Sequence, residues 1–459
     1  MSELRYASRA WRRLRLVVWL LLPALARAQS QLPATPPPPP PGPLTLNQCL
    51  SYALAYQPLV RQARLDEGIA DAANRVALSA WLPQISGTAV GQHYFGLPFT
   101  IFPDPTTGVY TPRQLGVSNV TTLGLAGTQT IYNNDVLLAA RQAPYNRLAA
   151  GQNTVYNKIA TVSDVSKAFY SVLLSQRQAQ VYDEDIRRLG RNYQDARNRY
   201  DAGIVDKTDF LQAEISLNNS KASRKQSLEA VNANTAYLQQ LMGLPAGQLV
   251  QLKYDTLQLE QEAVVDTLEQ LNPANRIEFQ QVLTQKTLQG QTVDYYRLGF
   301  LPSLSAFGNY NSVYQANTVR EQYQQRFPNS YAGLQLALPL FTGFRRTQNL
   351  RRARLQDQRI DQDLLGTRNQ VTTEYATALA NYKGFYEAYV QSRRNLDLSR
   401  QVYHVVDIQY REGIKAYLDL LVAQTTLRTS QLNYYSALFQ VLTSKVELLR
   451  TLGTLPITY

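Results

Sequence analysis

The chain has almost none of the residues that build metal and thiol chemistry. Among 459 residues there are one cysteine, Cys49, and two histidines, His93 and His404. A lone cysteine excludes an internal disulfide, and so few soft or imidazole ligands exclude a thiolate- or histidine-rich metal cluster. No G-x-S-x-G elbow, P-loop or nucleophile–base pair is present, so no catalytic residue, metal site or cofactor is assigned. His93 and His404 read as polar surface or lumen residues. Acid pairs such as Asp183 and Asp185 sit on a charged helical stretch and read as a solvated face.

Long apolar runs are missing too. Beyond the N-terminus no segment reaches about 18 consecutive apolar residues, so no transmembrane helix is available. Residues 1–28 read as an export signal. Arg5, Arg9, Arg12, Arg13 and Arg15 form a positive region, Leu16 to Leu22 a short apolar stretch, and Ala26-Arg27-Ala28 a cleavage site. Removing its six Arg and one Glu from a chain of formal net charge +12 leaves the mature chain at +7. Its Lys and Arg are spread among Gln, Asn and Tyr, which argues against a nucleic-acid partner. An exported chain without a membrane helix is periplasmic, secreted or inserted as a β-barrel.

What is present begins with a proline-rich linker, residues 29–43, expected to be extended. A tandem repeat follows. Trp81-Leu82-Pro83 returns as Phe300-Leu301-Pro302, and Ile131-Tyr132 as Leu340-Phe341. Tyr200-Asp201-Ala202-Gly203-Ile204 returns as Tyr410-Arg411-Glu412-Gly413-Ile414, and Gly243-Leu244-Pro245 as Thr454-Leu455-Pro456. The offset stays between 209 and 219 residues, the mark of a duplicated unit. The units span residues 44–247 and 274–459, with residues 248–273 inserted between them. Each predicts a helix (Leu46 to Ala80; Asn275 to Gly299) ended by Leu-Pro, two strands around a polar loop, and a very long helix (Asn134 to Asp201; Arg345 to Arg411). A glycine turn and a return helix to Met242 or Leu452 complete the unit.

The long helices carry a seven-residue period. Tyr375, Tyr382, Tyr389, Leu396, Tyr403 and Tyr410 form one series, with Ala378, Phe385, Ser392, Ser399 and Val406 beside it. Val165, Val172, Ala179, Ile186, Tyr193 and Tyr200 form its counterpart, with Ala168, Ser175, Tyr182, Leu189 and Ala196. A sustained 3.5-residue period means left-handed coiled-coil packing. The strands alternate instead: Leu123, Leu125 and Ile131, and Leu334, Leu336, Leu338 and Leu340, are separated by small or polar residues, as a membrane barrel wall requires. Four strands cannot close a barrel, and open edges cannot face lipid, so copies must combine. Two copies give eight strands and three give twelve, and periodicity does not choose.

The ordered set, in duplicate, resembles the TolC-like outer membrane efflux protein family. The resemblance is carried by Leu44-Thr45-Leu46-Asn47-Gln48-Cys49-Leu50 with Ala53-Leu54 and Gln57-Pro58, by Arg199-Tyr200-Asp201-Ala202-Gly203 with Asp209, and by Tyr410-Arg411-Glu412-Gly413 with Asp419-Leu420-Leu421. It implies a mostly α protein with β: four strands per chain in a trimeric, twelve-stranded transmembrane β-barrel, above a long coiled-coil helical barrel. It implies a Gram-negative outer-membrane location reaching into the periplasm, with export through the tunnel and no enzymatic step. The implied partners are two further copies, outer-membrane lipid, a periplasmic adaptor protein and an inner-membrane pump of RND or ABC type. The insert would form a belt. By position Asp209, Tyr410 and Lys415 match a network that shuts the inner end, Tyr200, Gly203 and Gly413 belong to the tip turns, and Asp419 matches an acidic pore ring. Val422 stands where a second acidic ring would be. Gly203 and Gly413 are also what a tight positive-φ turn needs.

A periplasmic coiled-coil scaffold or adaptor is the alternative. It accounts for the heptads but not for the alternating strand pairs. The two readings separate on fractionation: an outer-membrane channel sediments with outer membranes and is released only by detergent, whereas release by salt would favour the scaffold.

Overall fold

The computed structural model describes residues 42–103, 108–245, 250–254, 256–264 and 269–459. The export signal, residues 29–41 of the linker, residues 104–107 of the loop after the first strand, residues 246–247 and parts of the insert lie outside the described residues.

Thr45 starts the first helix with a capping box: its hydroxyl accepts from the Gln48 N–H, and the Gln48 side chain accepts from the Thr45 N–H at 2.9 Å. The sequence predicts one helix to Ala80. The structure makes two, α1 (Leu46–Tyr56) and α2 (Pro58–Leu78), because Pro58 drives Gln57 into extended backbone. Cys49 is buried in α1, and burial pushes its thiol up to about 12. A short 3-10 turn and Pro83 then release the chain into β1 (Gln84–His93).

The expected polar loop after β1 contains a hairpin of its own, β2 (Phe99–Pro103) and β3 (Tyr110–Gln114). Its prolines hid the β-forming Phe99-Thr100-Ile101-Phe102 run. β4 (Asn119–Tyr132) leads into α3 (Asn134–Asp201), and α4 (Lys207–Met242) returns. The insert contributes α5 (Thr256–Glu262). The second unit supplies α6 (Ile277–Leu298), β5 (Ser303–Ala316), β6 (Arg326–Ala337), α7 (Arg345–Arg411) and α8 (Tyr417–Leu452). β6 stops at Ala337 although the leucine alternation runs to Leu340, since Pro339 cannot donate to a ladder.

The main strands form one antiparallel sheet in the order β1-β4-β5-β6, with Gly87 opposite Leu125, Leu125 opposite Tyr310, and Tyr310 opposite Ser330. β1 and β6 are therefore open edges. Among the described residues no helix is long and apolar enough to cross a membrane.

At 1.5 Å per residue, the 68 residues of α3 run about 100 Å. Of the heptad positions, Val165, Val172, Ala179, Leu189 and Ala196 on α3 and Tyr382, Tyr389, Leu396 and Tyr410 on α7 are buried, as are Leu420, Leu427, Tyr434, Val441 and Leu448 at the same spacing on α8, while Ile186, Tyr193, Tyr375 and Tyr403 are half-buried and Tyr200 is exposed. Phe385 departs from this and stays exposed. The insert is strapped to these helices by polar contacts. The Tyr382 hydroxyl donates to the Ala263 carbonyl (2.9 Å), the Tyr434 hydroxyl to the Glu260 carboxylate, and Lys445 to the Glu262 carbonyl (2.5 Å). Paired backbone hydrogen bonds tie the insert to Leu44 as well.

One acid corrects the sequence reading. Asp183 is partly exposed and pairs with Arg224, but Asp185 is fully buried. Its carboxylate accepts from Ser220 on α4 (2.7 Å) and from Gln424 (3.2 Å) and Arg428 (3.1 Å) on α8. Asn192 on α3 donates to the same Gln424 at 2.8 Å. The cluster joins both helices of the first hairpin to the return helix of the second. A charge taken out of water survives only with such partners, and removing one member leaves the rest uncompensated. Asp185→Ala is expected to lower unfolding stability in detergent by on the order of 3 kcal/mol. Denaturant titration measures this, and a change below about 0.5 kcal/mol would show that the cluster does not hold the hairpins together.

Candidate functional site at the helix tips

Both long helices end in the same local structure. After α3, Ala202 stays helical and Gly203 turns left-handed (φ 71°). After α7, Glu412 and Gly413 (φ 76°) do the same. The Ile204 N–H reaches back to the Arg199 carbonyl (2.9 Å) and the Ile414 N–H to the Gln409 carbonyl (2.8 Å), closing two Schellman turns. Glycine is needed at both positions because a side chain there would strain the backbone. The return helices begin with Asp209 and Asp419 in their first turns, where a carboxylate complements the helix dipole.

The two turns are not equivalent in their surroundings. Tyr410 is 7% exposed and packs in a small cluster with Tyr417, Leu420 and Ala213. Tyr200, its counterpart, is 38% exposed and leans on Phe210 at 5.0 Å. The ring of Tyr410 meets Tyr417 edge-on at 5.9 Å, and the Arg199 guanidinium lies 4.9 Å from its centre. Burial raises the Tyr410 hydroxyl above its ordinary value, the Arg199 charge opposes this, and Asp209 adds to it. Tyr417 is raised by burial, then by Tyr410 and Asp209.

The structure thus brings Asp209, Tyr410 and Arg199 together, with Tyr417. Among the described residues no side-chain hydrogen bond joins Asp209 to Tyr410. Lys415 pairs with Asp419 one turn on, at 3.9 Å, and not with Asp209. Val422 and Leu418 are exposed on α8, and Ile414 is exposed in the turn before it. Sequence reasoning missed Tyr417, which lies off both heptad seams and so gave no periodic signal. It gave Arg199 no role. Beside the cluster, α3 and α7 bound an open groove of about 590 Å³, lined by Arg188, Arg191, Arg199, Tyr403 and Asp407 among others.

Comparison with known proteins gives a consistent result. Residues 49–244 and 268–454 match the family model described as outer membrane efflux protein. The chain is 20% identical over 348 residues to outer membrane protein TolC of Vibrio cholerae, covering 75% of this chain and 78% of that protein. It is 25% identical over 296 residues to the alkaline protease secretion protein AprF of Pseudomonas aeruginosa, covering 62% of this chain and 59% of that one. The crystal structure of the Campylobacter jejuni CmeC outer membrane channel superposes with a TM-score of 0.71 at 17% identity, covering 90% of this chain and 87% of that one.

The Tyr417 hydroxyl is buried without a hydrogen-bond partner among the described residues. An unsatisfied buried hydroxyl costs about 1–3 kcal/mol. Tyr417→Phe is therefore expected to leave the thermal midpoint unchanged or raise it, while Tyr417→Ala opens a cavity and costs about 3 kcal/mol or more. A clear drop for Tyr417→Phe in a melting experiment would mean that the hydroxyl is bonded in the assembled protein.

Proposed function

This chain belongs to the outer membrane efflux protein family, and from that premise we propose that three copies form one export tunnel whose inner end can close. The protein is an outer-membrane efflux channel of a Gram-negative cell, from a family of channels rather than enzymes. The observation that carries the assembly is the sheet: four strands with both edges open and exposed leucines along β6. Backbone groups at such edges cannot be left in hydrocarbon, so strands of further copies must pair with β1 and β6. Three copies supply twelve. A stripe of exposed Leu398, Val402, Val405 and Ile408 along α7 gives another helix an apolar face to pack on.

In this reading residues 44–247 and 274–459 are the two repeats and residues 248–273 the belt that straps them. Residues 1–28 are removed on export, and residues 29–43 are a spacer. The tunnel's inner end meets a periplasmic adaptor and, through it, an inner-membrane pump of RND or ABC type. The relatives' names include a protease secretion protein and an outer membrane channel, which fits export through the tunnel. The coiled-coil scaffold reading lacks a use for the sheet.

The gate is assigned to the tip: Tyr410 wedged between Arg199 and Tyr417 beside the Asp209 carboxylate, with Lys415 and Asp419 on the next turn and Tyr200, Gly203 and Gly413 shaping the turns. Breaking this cluster is expected to loosen the tip without dissociating the bundle, because the heptad seams above it are untouched. In planar bilayers the wild type is expected to show small, stable conductance, and the Asp209→Ala, Tyr410→Phe double variant a several-fold larger one. Equal conductance in both would remove the gate assignment and keep the tunnel. Folded protein that never conducts would remove the tunnel.

A further inference from the structure

The strand-to-helix junction of the second repeat carries a combination that neither the tunnel nor the tip uses. After β6 the chain runs through Leu338, Pro339, Leu340, Phe341, Thr342 and Gly343 to Phe344 and into α7. Leu340, Phe341 and Phe344 are 89%, 78% and 70% exposed, and the two rings lean on each other at 5.8 Å. Phe344 is the single non-glycine among the described residues with positive φ (62°). That backbone region is sparsely populated and strained for an aromatic side chain, yet it turns the ring outward, away from any protein core.

Beside these rings α7 opens on arginines. Arg345, Arg346, Arg351, Arg352 and Arg354 fall within its first ten residues, which contain no acid. Arg346 donates to the Pro339 carbonyl at 3.1 Å, and Arg352 reaches the Tyr296 hydroxyl at 3.4 Å. Among the described residues the side chains of Arg345, Arg351 and Arg354 have no ion pair or hydrogen bond. Cations crowded at a helix N-terminus repel one another and oppose the helix dipole. The first repeat shows the ordinary solution: Asn133 caps α3, and Asp135 stands in its first turn. The duplicated junction has diverged toward unpaired cations and exposed rings.

We propose that this junction binds the phosphate groups of anionic phospholipid at the periplasmic face of the outer membrane. Phe341 and Phe344 sit in the interfacial layer, and Arg345 at the helix start, with Arg351 and Arg354 about two turns further and rotated around the helix from it, supplies positive charge to the anionic headgroups. The surface continues the exposed leucines of β6 (Leu334, Leu336) and of the segment after it (Leu338, Leu340). It therefore lies where a lipid-facing wall ends and a water-immersed helix begins, the depth at which aromatic rings and basic side chains gather. Arg suits the task because its planar fork matches phosphate oxygens. The proposal rests on the outer-membrane channel reading.

The test is titration of the purified full-length protein, held in neutral phosphatidylcholine nanodiscs, with phosphatidylglycerol, read by native mass spectrometry. Wild type is expected to prefer phosphatidylglycerol over phosphatidylcholine by about fivefold for each arginine that reaches a headgroup, from about fivefold for Arg345 alone to about a hundredfold for all three, and less so at high salt. The Arg345→Gln, Arg351→Gln, Arg354→Gln variant is expected to lose most of that preference, and the matching triple Lys variant to keep much of it. No preference in the wild type, or an unchanged one in the Gln variant, would overturn the proposal. So would a Gln variant that binds lipid normally but changes the anion-to-cation selectivity of the pore, since the arginines would then face the lumen. Conductance recorded beside the titration in neutral lipid separates the two readings: loss of channel activity in wild type counts against the tunnel, and the lipid preference is read independently of it.

Discussion

The molecule depends on side-chain packing repeated every seventh residue along helices about 100 Å long. The buried cluster around α1 and the insert holds only part of their length, so beyond it each turn is held by the seam beside it. The seam mixes valine, alanine and serine on α3 with tyrosine on α7. Small residues let the helices approach, and the tyrosines fill the remaining width while offering hydroxyls at its margins. Those hydroxyls are then used: Tyr382 and Tyr434 hold the insert against the bundle. The seam fixes where the tips stand, and it delivers the strands to the membrane at a common height.

Much of this was legible because it is periodic. The repeat, the helix ends at Leu-Pro and the glycine turns all leave marks at fixed spacing, and the long helices begin and end where those marks place them. What escaped is what periodicity does not encode. Asp185 looked like one more acid on a charged stretch, but the seam rotates it inward, where Ser220, Gln424 and Arg428 from two other helices surround it. Local sequence cannot supply partners 35 and 243 residues away. Tyr417 is hidden for a similar reason: its neighbour Tyr410 comes from the helix before the turn. The β2–β3 hairpin was masked by prolines that an isolated two-stranded ribbon tolerates at its edges.

Duplication also set the repeats free to differ. The two tip turns share backbone geometry, yet Tyr410 is enclosed and Tyr200 is not. At the opposite end α3 starts with an asparagine cap and an aspartate, whereas α7 starts with a left-handed phenylalanine and a run of arginines. The unit kept its skeleton, where a change would break the seam, and diverged at its ends.

The open edges of β1 and β6 also dictate an order of events. A lone chain closes the seams between its own helices, but it leaves the apolar stripe of α7 uncovered, and its sheet carries two rows of unpaired amides that lipid would penalise heavily. In the three-copy assembly proposed above, entry into the membrane therefore waits for other copies, and biogenesis depends on protein concentration at its last step. A chain made in excess is then left with an adhesive sheet in an aqueous compartment.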